Sequence, residues 1–160
     1  MNEMNFTVSN DDEHELLQGM RDAAKELILL GSQKDSLQAI ITAARYEKPK
    51  PGVQKSAEGC DYLAEVAAEI LDIETDIKRL GQILEADRQR VRRIMQFLEK
   101  ESLEIIRLYY LFPVKDAAGN LRTWREIEEL AHLSHTGAMK RRRKLFKDVN
   151  KIIEKTEKKG

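Results

Sequence analysis

A heptad repeat in the middle of the chain limits the possible folds more than any other feature of the sequence. Between Leu63 and Leu98, spacings of three and four residues alternate without a slip, and only one repeat position is polar. The repeat consists of Leu63, Val66, Ile70, Ile73, Ile77, Leu80, Leu84, Asp87, Val91, Ile94 and Leu98. Because this pattern is typical of a coiled coil, we predict one long helix over residues 61–100, roughly 60 Å in length.

A second apolar stripe precedes the repeat on an earlier helix. Asn10 or Asp11 is expected to cap this helix, which ends at a loop rich in proline and glycine at residues 48–59. Gly31 and Ser32 mark a place where the helix could kink or be interrupted. The stripe comprises Leu16, Met20, Ala23, Leu27, Leu30, Leu37, Ile41 and Ala44, and Lys34 occupies the one position that breaks it.

The long stripe at residues 61–100 needs a cover, and the sequence leaves three possibilities open. The first helix could fold back on it, a second subunit could pack against it, or both. The first helix offers fewer large apolar side chains than the repeat does, so we expect a homo-oligomer, most simply a dimer. Asp87 either fixes the register from a buried position or reaches water through a loose seam, and the second interpretation is the simpler one.

The rest of the chain, residues 101–160, is expected to form a domain of short helices after a helical arm of residues 1–100. Ser102 is a candidate cap for the first of these helices. The turn-rich connection at residues 113–122 suggests a small hairpin, because Gly119 tolerates a positive φ. The core candidates ahead of this connection are Leu103, Ile106, Tyr110 and Leu111.

Two short amphipathic helices follow the connection. Thr123 and Glu126 have the spacing of a capping box, and Ser134 is suited to cap the next helix. Their apolar faces carry Trp124, Ile127, Leu130 and Ala131 on the first helix and Ala138, Leu145, Val149 and Ile152 on the second. Two such helices joined by a tight turn predict a helix-turn-helix. The whole chain is therefore expected to be all-α, a helical hairpin or coiled coil followed by this motif.

The charge of the chain is segregated although its formal net charge is zero. Residues 121–160 contain twelve bases and six acids, a net charge of +6, whereas the preceding residues are net acidic. A basic run of this kind is either the solvated face of a helix or a surface that binds nucleic acid.

Helical geometry favours the nucleic-acid interpretation of the basic run. With Ala138 turned inward and 100° per residue, Thr136, Lys140, Arg143 and Lys147 point away from the core, where a recognition helix meets the major groove. The predicted DNA-binding residues are Arg122, Thr123, Arg125, Ser134, His135, Thr136, Met139, Lys140, Arg143, Lys144 and Lys147, and we expect Arg122 and Arg125 to contact phosphate.

The segment "TWREIEELAHLS" followed by "HTGAMKRRRKLF" resembles the promoter-reading helix-turn-helix of bacterial sigma factors. Together with "SLEIIRLYYL" and the long helical arm before it, the chain is similar to small phage and prophage transcriptional regulators of the ArpU and RinA type. The resemblance implies sequence-specific DNA binding, with polymerase as a further potential partner. The family usually has a small residue at the position of Glu128 and glycine at that of His132, so this chain departs from its pattern there.

No feature of the sequence predicts an enzyme, a cofactor or a metal site. His132 and His135 lie on either side of a predicted turn without further ligands at suitable spacing. The single cysteine, Cys60, favours a reducing compartment, and no secretion signal or apolar membrane segment is present, so we expect a cytoplasmic protein. Besides a transcriptional regulator, two functions stay open: a phage DNA-packaging protein of the small terminase type and a scaffold that binds only protein.

Overall fold

The computed structural model describes residues 14–46 and 57–157, and this part of the chain is all-α as predicted. Its helices are α1 (Glu15–Tyr46), α2 (Ala57–Met95), α3 (Lys100–Ile105), α4 (Trp124–Leu130) and α5 (His135–Glu157), with a π-helical segment (Ile106–Leu111) directly after α3. The described residues divide into two compact units. We call residues 26–46 with 57–83 the hairpin unit, and residues 14–25 with 84–157 the terminal unit.

In the hairpin unit, α1 and α2 lie side by side and antiparallel. Lys34, which breaks the apolar stripe of α1, forms a salt bridge with Glu74 on α2, with Nζ 3.2 Å from Oε1. The groove near the loop end is lined by Ile41 from α1 and Ile70 from α2. Along the α2 seam, Val66 and Ile70 are buried, whereas Ile73, Ile77 and Leu80 are only half-buried. The first helix therefore covers part of the α2 seam.

Two local expectations about the arm are corrected by the structure. Helix α1 continues through Gly31 and Ser32, so the helix is not interrupted there. Helix α2 begins at Ala57, inside the loop expected at residues 48–59. The predicted caps Asn10 and Asp11 lie outside the described residues. Asp87 is half-buried, in agreement with a seam that water reaches.

The core of the terminal unit draws on every helix in it, including both long ones. Its most deeply buried apolar side chains are Leu17 and Met20 from α1, Val91 and Ile94 from α2, Ile105, Ile106, Tyr110 and Leu111 from α3 and the π-helical segment, Ile127 from α4, and Ala138, Leu145 and Val149 from α5. The short helices thus share one core with the ends of the arm. The compact unit consequently extends beyond the boundary that we expected at residue 100.

The start of α3 differs from the prediction that Ser102 caps it. The cap is Glu99, which has an extended backbone and whose carbonyl accepts a hydrogen bond from the Leu103 amide at 3.0 Å. Ser102 lies inside the helix and is completely buried, so its position is set by packing. The predicted core candidates Ile106, Tyr110 and Leu111 are buried, and Leu103 is half-buried.

The connection between the π-helical segment and α4 is the small hairpin that the sequence suggested. The Lys115 amide donates to the Asn120 carbonyl at 2.8 Å, and the Arg122 amide donates to the Pro113 carbonyl at 2.8 Å. Gly119 at the tip has a φ of 85°, a conformation that costs glycine little. This connection ends at Thr123, the cap of α4.

Candidate nucleic-acid interface

Local hydrogen bonds define both helices of the basic segment. At the start of α4, the Thr123 hydroxyl accepts from the Glu126 amide at 3.2 Å, and the Glu126 carboxylate accepts from the Thr123 amide at 3.3 Å. This reciprocal pair confirms the predicted capping box. At the start of α5, the Ser134 hydroxyl accepts from the Gly137 amide at 3.0 Å, so Ser134 is the cap that the sequence predicted.

Glu128 and His132, the two residues that differ from the sigma-factor-like pattern, lie at the end of α4 and in the turn before α5. His132 adopts a φ of 56°, a left-handed conformation in which histidine is several-fold enriched compared with most other non-glycine residues. The Glu128 carboxylate lies 2.7 Å from Nδ1 of His135, the first residue of α5. Its contact with α5 is therefore a favourable one and not a clash. Glu128 and His135 thereby connect the end of one helix with the beginning of the next.

The inner side of α5 is held by an aromatic cluster. Trp124 is half-buried and contacts Tyr109 edge-on, with ring centroids 5.3 Å apart. Arg142 extends over the Trp124 ring at 4.9 Å and donates from Nε to the Tyr110 hydroxyl at 3.3 Å. Burial raises the pKa of Tyr110 to about 12, so this hydroxyl stays protonated near neutral pH. Trp124 and Arg142 therefore serve the packing of α5.

The outer side of α5 presents most of the predicted DNA-binding residues to solvent. Lys140, Arg143 and Lys147 are exposed, and no acidic side chain among the described residues forms a salt bridge with them. The other exposed members of the predicted set are Thr123, Arg125, Ser134, His135, Thr136 and Lys144, whereas Met139 is half-buried. Of this set, the residues from Ser134 to Lys147 lie on α5 and its cap, whereas Thr123 and Arg125 lie at the start of α4.

Arg122 is the predicted contact that the structure uses differently. Its Nη1 donates to the carbonyls of Phe112 at 2.6 Å and Leu108 at 3.2 Å. These carbonyls lie at the end of the π-helical segment, where no following helical turn supplies amide donors to them. The guanidinium of Arg122 therefore stabilises this part of the backbone and is not one of the exposed basic groups.

Two basic residues beside the exposed face contact an acid that sequence reasoning did not connect with them. Glu99, the cap of α3, accepts hydrogen bonds from Lys144 Nζ at 2.8 and 2.9 Å, and Arg141 Nη1 lies 3.3 Å from its Oε2. The Lys144 hydrogen bond holds the pKa of the Glu99 carboxyl below its usual range. On a helical wheel, Arg141 and Arg142 lie within about 60° of the inward-facing Ala138, whereas Arg143 points away from it. The sequence therefore contained a signal that separates these two residues from the exposed Arg143.

Comparisons with protein-family models, with curated proteins and with solved structures found no match to this chain. None of the helices in the described part of the chain is long and apolar enough to cross a membrane. Within the same residues, no three histidine, cysteine or acidic side chains form a group suited to a metal ion.

Proposed function

We propose that this protein binds duplex DNA and acts as a sequence-specific transcriptional regulator in the cytoplasm, with α5 as its recognition helix. One observation carries the proposal. On a single helix, Lys140, Arg143 and Lys147 are exposed and unpaired among the described residues, while Arg141 and Arg142 are engaged elsewhere. Exposed cations without acidic partners on one face of a helix supply the positive charge that a polyanionic DNA backbone attracts.

The residues around this face have suitable chemistry for different parts of a DNA duplex. Thr136, Lys140 and Arg143 occupy the N-terminal half of α5, the part of a recognition helix that reaches base edges in the major groove. Arg125 is exposed on α4 and is positioned for a phosphate contact. His135 and Ser134 stand at the turn, where the amides of the helix start favour anionic groups.

Oligomerisation through α2 belongs to the same proposal. One helix-turn-helix reads few base pairs, and paired motifs read two half-sites. The half-buried seam residues Ile73, Ile77 and Leu80 leave apolar area for a second subunit in addition to α1. The resemblance to phage regulators extends the proposal to a phage or prophage origin and to contact with RNA polymerase. A DNA-packaging protein is the alternative, and assembly into rings in native mass spectrometry would favour it.

A titration with matched variants tests the proposed function. Duplexes enriched from a random pool on the wild-type protein are titrated with wild type, with a Lys140→Ala/Arg143→Ala variant and with a Lys151→Ala/Lys155→Ala control. We expect the first variant to lose about 1–3 kcal/mol of binding free energy for each base contact removed. The control removes the same charge from exposed positions farther along α5 and should lose much less. Equal losses in both variants, or no binding by wild type, would contradict the proposal.

A further inference from the structure

We propose that Arg141 and Lys144 form a binding site for one backbone phosphate of DNA, and that the Glu99 carboxylate occupies this site when DNA is absent. The inference rests on the proposed function and adds to it a specific phosphate contact and a residue that competes for it. Glu99, a residue of the same chain, would thus compete with DNA and weaken the protein's affinity for it.

The geometry of the three side chains resembles that of a bound phosphate. Both oxygens of Glu99 accept from Lys144 Nζ, at 2.8 and 2.9 Å, and one of them also lies 3.3 Å from Nη1 of Arg141. Two cations from successive positions of one helix face thus converge on a single anionic group. The two Lys144 contacts have the length of the charge-assisted hydrogen bonds that lysine forms with phosphate oxygens, whereas the Arg141 contact is longer.

The position of the cluster places it at the border of the proposed DNA surface. Lys144 directly follows Arg143 on α5 and is half exposed, as is the Glu99 side chain. Glu99 approaches from another element, the cap of α3, so its charge lies beside Lys144, next in sequence to the exposed Arg143. A carboxylate here both repels the DNA backbone and occupies the donors that would neutralise it.

Exchange of the carboxylate for phosphate requires little rearrangement. Exposed ion pairs contribute little to stability, so the protein loses little when Glu99 releases Lys144. A phosphate that takes its place also releases condensed counterions from the DNA, which the internal carboxylate does not. Loss of the Glu99 charge should therefore increase the affinity most at low salt, where released counterions contribute most to binding.

Removal of one negative charge at Glu99 tests the proposal in the full-length protein. Affinity for a random-sequence 30-base-pair duplex is measured by fluorescence anisotropy at several salt concentrations for wild type, Glu99→Gln and Glu101→Gln. Glu101 is exposed on the same segment and makes no ion pair within the described chain, so its replacement changes the net charge equally. We expect Glu99→Gln to bind about two- to fivefold tighter, with a steeper salt dependence by nearly one released counterion, and Glu101→Gln to resemble wild type.

A double-mutant cycle separates the site from general electrostatics. Lys144→Ala should weaken binding more in the Glu99→Gln background than in wild type, because only the former has a free ammonium group to lose. Equal gains from both glutamine variants, no gain from Glu99→Gln, or additive effects of Glu99→Gln and Lys144→Ala would each overturn the inference while leaving DNA binding intact. Wild-type protein that binds no duplex at any salt concentration would overturn the proposed function itself.

Discussion

The guanidinium group of Arg21 lies 3.9 Å from the centroid of the Tyr109 ring, although 88 positions separate the two residues in the sequence. The same guanidinium donates to the Tyr109 carbonyl at 3.0 Å and to the Arg122 carbonyl at 2.6 Å. Through Arg21, the beginning of α1 contacts both the π-helical segment and the residue before the α4 cap. The start of α1 is thereby part of the unit that carries the proposed recognition helix.

Replacement of Arg21 by alanine is expected to destabilise the terminal unit by about 2–3 kcal/mol. Hydrogen bonds from a charged donor contribute more than neutral ones, and their removal leaves two carbonyls without this partner. Urea denaturation followed by circular dichroism measures the change. Arg21→Lys is the control, because it keeps the charge but cannot donate to both carbonyls from a planar group, and it should recover only part of the loss. An unchanged unfolding midpoint for Arg21→Ala would show that these contacts contribute nothing.

Trp124→Ala is expected to cost about 3 kcal/mol of stability, near the lower end of the range for large aromatic deletions, because the indole is half-buried. The loss removes the edge-on contact with Tyr109 and the surface on which Arg142 lies. Thermal unfolding of Trp124→Ala and Trp124→Phe provides the measurement, with the second variant expected to fall in between. If Trp124→Ala unfolds like wild type and yet fails to bind DNA, the indole contacts DNA and is not structural.

His14 is expected to make stability depend on pH below its ordinary pKa of 6.5. Burial lowers the pKa of His14, and Arg90 acts in the same direction, whereas the hydrogen bond with Asn150 and the charge of Glu15 oppose the shift. The unfolded chain therefore binds a proton more readily than the folded one. Stability from neutral His14 is complete above pH 6.5 and declines as the pH falls toward the lowered folded-state pKa.

Denaturation of wild type and His14→Gln at pH 8, 6.5 and 5 isolates this contribution. The difference in unfolding free energy between the two proteins should shrink as the pH falls, because only wild type has the proton to take up. The carboxylates with lowered pKa, such as Glu126 and Glu157, act at lower pH and are common to both proteins. A difference that stays constant between pH 8 and 5 would refute the assignment to His14.

A homodimer through α2 remains a prediction, and sedimentation of the wild type at tens of micromolar tests it. The Ile73→Asp/Leu80→Asp variant should be monomeric. Both seam residues are half-buried in the single chain, and the substitutions would place two carboxylates in the apolar surface that the second subunit would cover. Circular dichroism of the variant verifies that the helices persist. Monomeric wild-type protein at this concentration would mean that α1 alone covers the seam.

The features predicted correctly from the sequence are those determined by neighbouring residues. The capping box of Thr123, the Ser134 cap and the positive φ of Gly119 each depend on a few adjacent positions. The all-α class followed from periodicity, which extends over many turns and tolerates local exceptions. The exposure of Lys140 and Arg143 followed from the same helical geometry.

The features that the sequence did not predict arise from contacts between distant segments. The π-helical segment at Ile106–Leu111 has no local signature. Arg122 donates to a carbonyl at its end, and Arg21 donates to the carbonyl of Tyr109 within it. The pairing of Glu99 with Lys144 joins positions far apart in the chain. Ser102 was misassigned as a cap because a serine buried inside a helix and one at its start look alike without the tertiary context.

Chemical-shift mapping by NMR shows whether the outer face of α5 contacts duplex DNA. Amide resonances of the full-length protein are assigned and followed during titration with a duplex enriched on the wild-type protein. We predict that the largest changes fall on Thr136, Lys140, Arg143 and Lys147, with smaller ones at Arg125. Changes confined to α1 and α2, or no changes at saturating DNA, would contradict the account.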